Sequence, residues 1–491
     1  MRFGEWVKHS LVYGLGVILM NLLPALMIPI YTYRITPSIY GVLELLNRSQ
    51  EILLLILSFG LRSAVATFYQ MDRGNREAQK SVFSTSVQFT AAFSLALILV
   101  LLAFSSGLSN LLFGSKDYGG AVALILISTY FEVMFQSGIL YLQSELRSIL
   151  YVSTYAARSI LAIVLNLIFV LWWRWGLMGI LWATAIHTSI FAIIVTGHMF
   201  WHTGFRFERK LIRELLIFGA PLMIGGFAMF TLNSGDRYFL EIYRSSSVVG
   251  LYGVGYRVGT VALALVMQPF LKIWSVTMVD ISRERDGPTQ FGRIATYLLG
   301  ACIFVTLGLS LLGPFLIRWI AERSYWEAYR VIPVVGLAYV FYAWTIVMDA
   351  SFYVTKRTVY KIYDVTLAGA VVLLLYWWLI PRYGMMGAAW ATVGGFGSFT
   401  GFKAFFAQRV FRIHYELGRI TWLFVIAAVL YGAGAYLPTS PIVPEFAVRT
   451  VLILAFPVLL WVGRFLKEEE RRALGDYWQL FRFRYLGGVR V

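Results

Sequence analysis

The chain has 491 residues, of which 59% are hydrophobic, 17% aromatic and only 14% charged, and its formal net charge is +17. A water-soluble fold of this composition would have too little polar surface to cover itself, which excludes an ordinary soluble enzyme or binding domain. The single cysteine, Cys302, rules out an internal disulfide, and the 5 histidines fall at no spacing that suits zinc or haem.

Apolar stretches of the length that crosses a bilayer follow one another with short gaps, and predict about 14 transmembrane helices. The fold class is all-α: a polytopic membrane protein with two pseudo-symmetric six-helix lobes and two C-terminal helices. The opening MRFGEWVKHS is charged and enters the first span without a small-residue cleavage site, so it reads as a retained cytoplasmic end rather than a signal peptide. The first lobe, 1–205, holds spans near 9–33, 40–68, 82–104, 120–143, 150–173 and 177–200. The second, 206–410, holds spans near 215–236, 248–272, 294–317, 331–353, 360–380 and 385–407. Residues 411–491 add spans near 420–437 and 446–465 and a cytoplasmic tail. Two segments, FRFERKLIRELLIFGAP between the lobes and LGDYWQLFRFRYLGG in the tail, are amphipathic and are expected to lie in the membrane interface.

Lys and Arg concentrate in the gaps on one side, among them Arg206, Arg209, Lys210 and Arg213 between the lobes and Arg283, Arg285 and Arg293 later. That side is cytoplasmic by the positive-inside rule, with both termini on it. Contact with anionic lipid then accounts for the net charge without nucleic acid.

The chain is internally duplicated. RWGLMGILWAT at Arg174 recurs as RYGMMGAAWAT at Arg382 with seven of eleven positions identical, and each copy opens the sixth span of its lobe. A weaker echo pairs IYGVLELL at Ile39 with LYGVGYRV at Leu251. Because each lobe has an even number of spans, the copies share one orientation, which predicts a cleft between lobes related by an axis along the membrane normal.

Charges inside the spans point to what that cleft holds. Glu44, Arg48, Glu51 and Arg62 form one narrow stripe along the second span, about 27 Å long, which must face water or another polar surface. Mutual neutralisation of Glu44 and Arg48 with snorkelling of Arg62 is the bland alternative, and it leaves Glu51 unexplained. Arg257 lies on nearly the same helix face as Gln268, and Asn233, Arg237, Glu241 and Arg244 share a face if their helix persists. Arg158 and Lys403 lie deeper than loops require, with snorkelling as the competing account. Pooled, the interior carries more basic than acidic groups, and Arg with its bidentate fork suits phosphate oxygens. Tyr252 and Tyr256, one helical step apart beside Arg257, are candidate sugar contacts, against a packing role. Trp172, Trp173, Trp175, Trp377 and Trp378 read as interfacial belts. No G-x-x-x-x-G-K-[ST] element is present, so an ion gradient rather than ATP is the expected driver, with Glu132, Asp236, Asp349 and Asp364 as candidate acids.

TYRITPSIYGVLELLNRSQEILLLILSFGLRSAVATFY, the GDRYFL and VVGLYGVGYRVG pair and the duplicated YG-x-x-G-AAWAT element resemble bacterial polysaccharide flippases of the Wzx type. These form the polysaccharide transporter family of the multidrug/oligosaccharidyl-lipid/polysaccharide exporter superfamily, and the resemblance covers nearly the whole chain. It implies alternating-access movement of undecaprenyl-diphosphate-linked oligosaccharide repeat units from the inner to the outer leaflet of the bacterial inner membrane, for surface polysaccharide biosynthesis. It implies no enzymatic activity, no catalytic residue, no metal site and no cofactor, with Na+ or H+ as the coupling ion. The partners it implies are the lipid-linked glycan, membrane lipids, a polysaccharide polymerase and a chain-length regulator, and no nucleic acid. By the same resemblance Arg48, Arg62, Arg237 and Arg257 would meet diphosphate or acidic sugars, and Glu44 and Glu51 would temper the grip or couple it to protons. A cation site between the seventh and eleventh helices would bring Asp236 and Asp364 together. A peptidoglycan-precursor flippase and a multidrug/cation antiporter of the same superfamily are the alternatives. A membrane glycosyltransferase or polymerase would need a sizeable outer loop, which this chain lacks.

Overall fold

The structure, a computed structural model, describes residues 26–72, 74–436, 442–463, 465–468 and 470. Most of the first predicted span and the amphipathic tail lie outside them. Every regular element among the described residues is helical. The chain enters as a helix over 26–32 (α1), turns, and starts α2 (Pro37–Ser58), where Thr36 caps the Ile39 N–H and Pro37 occupies the first turn. Then follow α3 (Leu61–Met71), α4 (Arg76–Ala103), α5 (Ser105–Phe113), α6 (Gly119–Ser144), α7 (Ser148–Asn166, continued by a π-helical turn Leu167–Trp172) and α8 (Gly176–Thr203). The second half comprises α9 (Arg209–Ser234), α10 (Asp236–Tyr243), α11 (Ser246–Arg283), α12 (Gly287–Ile320), a 3-10 segment Arg323–Val331, α13 (Ile332–Val354) and α14 (Tyr360–Val410). Two further helices are α15 (Leu417–Ala435) and α16 (Ile442–Val462).

Among the described residues ten helices are long and apolar enough to cross a membrane, and α2 with α3, bent by 43°, makes an eleventh. The expectation of fourteen differs from this in three places. The first span is mostly undescribed, α11 covers the expected span 248–272 as an unbroken 38-residue helix but is not among the eleven, and α14 joins two expected spans across Gly384. The amphipathic segment between the halves is no separate interfacial helix. Arg206 is pinned through its N–H to Ser84 Oγ (2.8 Å) and through its guanidinium to Glu77, and from Arg209 the chain runs straight on as α9.

The duplication is visible in the backbone. Leu146 after α6 and Lys356 after α13 both take positive φ (56° and 58°), and in each case the next N–H reaches back to close the helix, Arg147 to Leu142 O and Arg357 to Phe352 O, both 2.9 Å. Gly176 and Gly384, in the two copies of the repeated motif, share φ 56°.

The halves are joined along the beginnings of α2 and α11. A Cβ on Gly41 would stand 1.7 Å from Ser246 O, and one on Gly250 would stand 2.0 Å from Pro37 O, so backbones touch with no side chain between them. The turn after α1 adds to the join: Tyr325 OH of the 3-10 segment donates to Ile35 O (2.8 Å), and its ring meets Tyr40 edge-on at 5.9 Å. At its other end α2 breaks at Phe59 and Gly60 (φ 49° and 69°), and Gly60 lies against Gly219 of α9. A Cβ at Gly60 would fall 2.1 Å from Gly219 O. Gly60→Ala is therefore expected to destabilise the purified protein by at least about 1–2 kcal/mol, from the left-handed backbone alone; an unchanged melting temperature in detergent would show that the bend does not depend on this residue.

Candidate functional site

A carboxylate at hydrocarbon depth survives only if cations hold it, and Glu44, 2% exposed, has three. Arg48, one turn along α2, donates to Oε1 through Nε (2.9 Å) and Nη2 (2.7 Å). Arg257 of α11 reaches Oε2 at 3.4 Å, and Arg237 of α10 lies 3.7 Å from Oε1. Arg48 is engaged a second time by Glu51 (2.6 Å), whose other oxygen accepts from Ser234 Oγ (3.1 Å). The α2 stripe thus does face a polar partner, chiefly the second half of the protein.

On the other side of Glu44 lies a cavity of about 630 Å³. Arg62, Arg158 and Arg257 line it together with Glu44 and Glu132, and neutral hydrogen-bonding groups such as Asn47, Gln136 and Asn166 fill the gaps. Its walls come from α1, α2, α6, α7 and α8, with Arg62 contributed by α3 and Arg257 by α11. A cleft between the lobes was expected; this cavity is lined mostly by the first half, with Arg257 from the second. Arg62, whose Nη1 donates to Gln136 Oε1 at 3.4 Å, pairs with no carboxylate among the described residues. Arg62 and Gln136 also line a second void of about 340 Å³ that continues toward Glu51 and α9. Arg158 does not snorkel. It donates to Glu132 (2.5 Å), Thr188 (3.2 Å) and His187 Nδ1 (3.4 Å) and lies 4.1 Å over the Phe135 ring.

The remaining predicted residues form a buried node apart from the cavity. Arg237 and Asp236 are both 0% exposed and paired at 2.6 Å; Asp236 also accepts from Tyr252 OH (2.5 Å) and Thr392 Oγ1 (3.3 Å). The Arg237 guanidinium lies over Tyr256 (3.8 Å) and Tyr252 (5.1 Å), where the ring faces receive a cation. The expected sugar role of Tyr252 and Tyr256 is therefore corrected: both rings are spent on Arg237, and Tyr256 OH bonds to Asn233 O and Tyr339. Arg237, likewise expected at the ligand, is sealed in. Glu241 and Arg244 bond locally, to Ser246 Oγ (2.6 Å) and Pro381 O (2.8 Å).

Asp236 and Asp364 are not brought together. Tyr376 of α14 reaches the Asp236 level, donating to Thr231 O (3.1 Å), and lies twelve residues from Asp364, about 18 Å of helix. Asp364 belongs instead to a cluster with Lys403 (3.6 Å), which pairs with Asp349 (2.5 Å); Lys361 also pairs with Asp349 (3.0 Å). Lys403, 3% exposed, is thus an internal partner, not a snorkelling side chain. Neutralisation by Glu44, Glu51 and Asp236 leaves the interior less basic than its arginines suggested, with net positive charge confined to the cavity.

The model of the family described as polysaccharide biosynthesis protein matches residues 6–272, more than half of the chain. No curated protein matches. Among solved structures, the chain is similar to the lipid II flippase MurJ in an inward closed conformation, with 15% identity, a TM-score of 0.71 and coverage of 93% of this chain and 99% of that one. It is also similar to an inward-facing multidrug resistance MATE family transporter of the MOP superfamily (15%, TM-score 0.65, 85% and 99% covered). A third is a MOP superfamily transporter from Pyrococcus furiosus described as having a binding pocket of reverse polarity (15%, 0.60, 85% and 96%). At these identities the likeness is one of fold.

Glu44→Gln would leave three guanidiniums around a neutral amide. Loss of one partner of a buried ion pair costs about 3–5 kcal/mol, so this variant is expected to unfold at markedly lower temperature or to fail to accumulate, and a wild-type melting curve would count against Glu44 as the centre of the network.

Proposed function

Because the chain belongs to the polysaccharide biosynthesis protein family and is a multi-pass membrane protein, we propose that it is a flippase. It carries undecaprenyl-diphosphate-linked oligosaccharide repeat units from the inner to the outer leaflet of the bacterial inner membrane, for surface polysaccharide assembly. The observation that carries this reading is the pair Arg257 and Arg62 in one intramembrane cavity, the first sharing its carboxylate with two other arginines and the second with none. Hydrated phosphates do not cross hydrocarbon unaided, because each charge would lose its water with nothing in return. Guanidiniums fixed in a wet void replace that water. Arg257, at 3.4 Å from Glu44, is held loosely enough to transfer to a phosphate oxygen. Arg48 and Arg237 serve by position: they hold Glu44 so that Arg257 stays presented.

Alternating access then requires the α2–α11 join to part on the outer side, both termini being cytoplasmic, while the prenyl chain stays in the bilayer. The coupling ion, Na+ or H+, acts in this proposal through Asp364, whose two carboxylate oxygens accept no hydrogen bond although fully buried. A polysaccharide polymerase and a chain-length regulator would receive the product. A multidrug/cation antiporter is disfavoured by three guanidiniums against two carboxylates in the cavity. A peptidoglycan-precursor flippase would handle the same diphosphate, and transport of defined lipids separates the two.

In proteoliposomes, Arg257→Ala and Arg62→Ala are each expected to lower the initial rate of diphosphate-lipid translocation at least about tenfold, the loss of one charge-assisted contact, with unchanged membrane insertion. Wild-type rates in both variants would overturn the proposal. Flux that depends on a sodium or proton gradient should lose that dependence in Asp364→Asn; retained dependence would remove Asp364 from the coupling step.

A further inference from the structure

Beyond the anion-binding arginines, the cavity has an aromatic wall that neither the family nor the fold assigns. Tyr151 and Tyr155 lie one turn apart on α7, half-buried, with ring centroids 4.9 Å apart, and both line the void. Tyr155 is braced edge-on by Phe135 at 5.4 Å, and Phe135 in turn supports Arg158. The polar groups beside this wall are held in fixed orientations. Glu132 accepts from Arg158 on Oε2 and from Gln136 on Oε1 (3.3 Å), and each carboxylate oxygen retains lone-pair capacity. His187 Nδ1 accepts from Arg158, which places the imidazole proton on Nε2 as a donor.

An aromatic face flanked by a carboxylate acceptor and neutral donors is the chemistry that receives a pyranose ring. The C–H face of the sugar covers the apolar ring and its equatorial hydroxyls reach the polar rim. The Glu132–Arg158 pair is internally neutral, so this wall adds no further attraction for phosphate. The void, about 630 Å³, lies within the range of roughly 300–1,000 Å³ that encloses a drug-sized ligand. It can therefore hold a diphosphate and an adjoining sugar side by side.

We propose that Tyr151, Tyr155, Glu132, Arg158 and His187 form a pyranose subsite next to the anion-binding arginines, a site that rests on the flippase reading and names the sugar-recognition part of it. The test compares two lipids in proteoliposomes, bare undecaprenyl diphosphate and undecaprenyl diphosphate carrying one N-acetylhexosamine. The wild type should move the sugar-bearing lipid faster by roughly five- to tenfold, the worth of one or two aromatic contacts. Tyr151→Leu and Tyr155→Leu, which keep apolar bulk without a ring face, should bring the ratio close to one while leaving the bare lipid's rate unchanged. Tyr155→Phe should keep the ratio. Equal rates for the two lipids in the wild type, or parallel losses for both lipids in the leucine variants, overturn the subsite and leave the flippase reading standing. Movement of neither lipid by the wild type overturns both.

Discussion

One buried carboxylate organises this protein. Glu44 is almost wholly buried at the wall of the cavity, and its three guanidinium partners come from α2, α10 and α11, that is, from both halves of the chain. None of the four groups is stable alone at that depth, since each would carry an uncompensated charge in a medium of low dielectric. The halves are consequently tied by an electrostatic contact set into an otherwise apolar join, where Gly41 and Gly250 let the backbones meet. Such a contact is a poor source of net stability compared with well-packed apolar residues, because desolvation offsets much of the attraction. Its value lies in being exchangeable. Parting α2 from α11 would strip Arg257 of Glu44, and the cost falls when an anion has already taken the carboxylate's place. Occupancy and opening are then linked by the same guanidinium.

The two halves began as copies and have diverged at their centres. Thr184 and Thr392 close the repeated motif, yet Thr184 lines the cavity while Thr392 bonds to Asp236 in the sealed node. Counting back from the matched turns at Leu146 and Lys356, the counterpart of Glu132 is Tyr342. That tyrosine packs on Phe396 at 5.4 Å in a wholly aromatic cluster with Tyr339. Where the first half keeps an ion pair and a void, the second has placed rings at the equivalent position, and its fully buried arginine, Arg237, is enclosed between Tyr252 and Tyr256. The first half keeps room for a ligand beside Arg62, Arg158 and Glu132, and the second supplies the surface of α10 and α11 against which α2 is held.

Much of this was legible in the residues. Helical spans, the duplication and the polar stripe of α2 follow from periodicity, because a helix fixes which side chains share a face. Arg257 and Glu44 were both identified as interior charges. The Glu44–Arg48 pair was also legible from its i,i+4 spacing, but partners on other helices were not, since pairing across helices depends on rotation and depth, which sequence spacing does not encode. Hence Arg158 read as a snorkelling side chain although Glu132, 26 residues away on the antiparallel neighbour, neutralises it. Tyr252 and Tyr256 failed for a related reason: adjacency to Arg257 along α11 suggested a shared ligand, but residues one position apart on a helix point about 100° away from each other. Asp236 and Asp364 share a helix pair and differ in depth, a distance that helix number alone conceals. The amphipathic linker misled because its charges are those of a helix end pinned by Glu77 and Ser84.

The bend in α2 connects these points. Glu44 and Arg48 lie before it, Arg62 after it, and Phe59 and Gly60 supply two successive left-handed residues that redirect the helix by 43°. Without the bend Arg62 would continue along the stripe toward the second half. With it, Arg62 instead meets Gln136 of α6, at the place where the larger void continues into the smaller one. Arg62 and Gln136 line both voids, and Arg62 pairs with no carboxylate among the described residues. In the proposed flippase, a ligand anion leaving Arg257 of α11 would find its next countercharge in Arg62 of α3, across the bend from Arg48. The backbones meet at Gly60 and Gly219, at the start of α3 beside Arg62, so this contact with α9 and the bend, rather than the ion pairs that hold Glu44, fix where the Arg62 guanidinium stands.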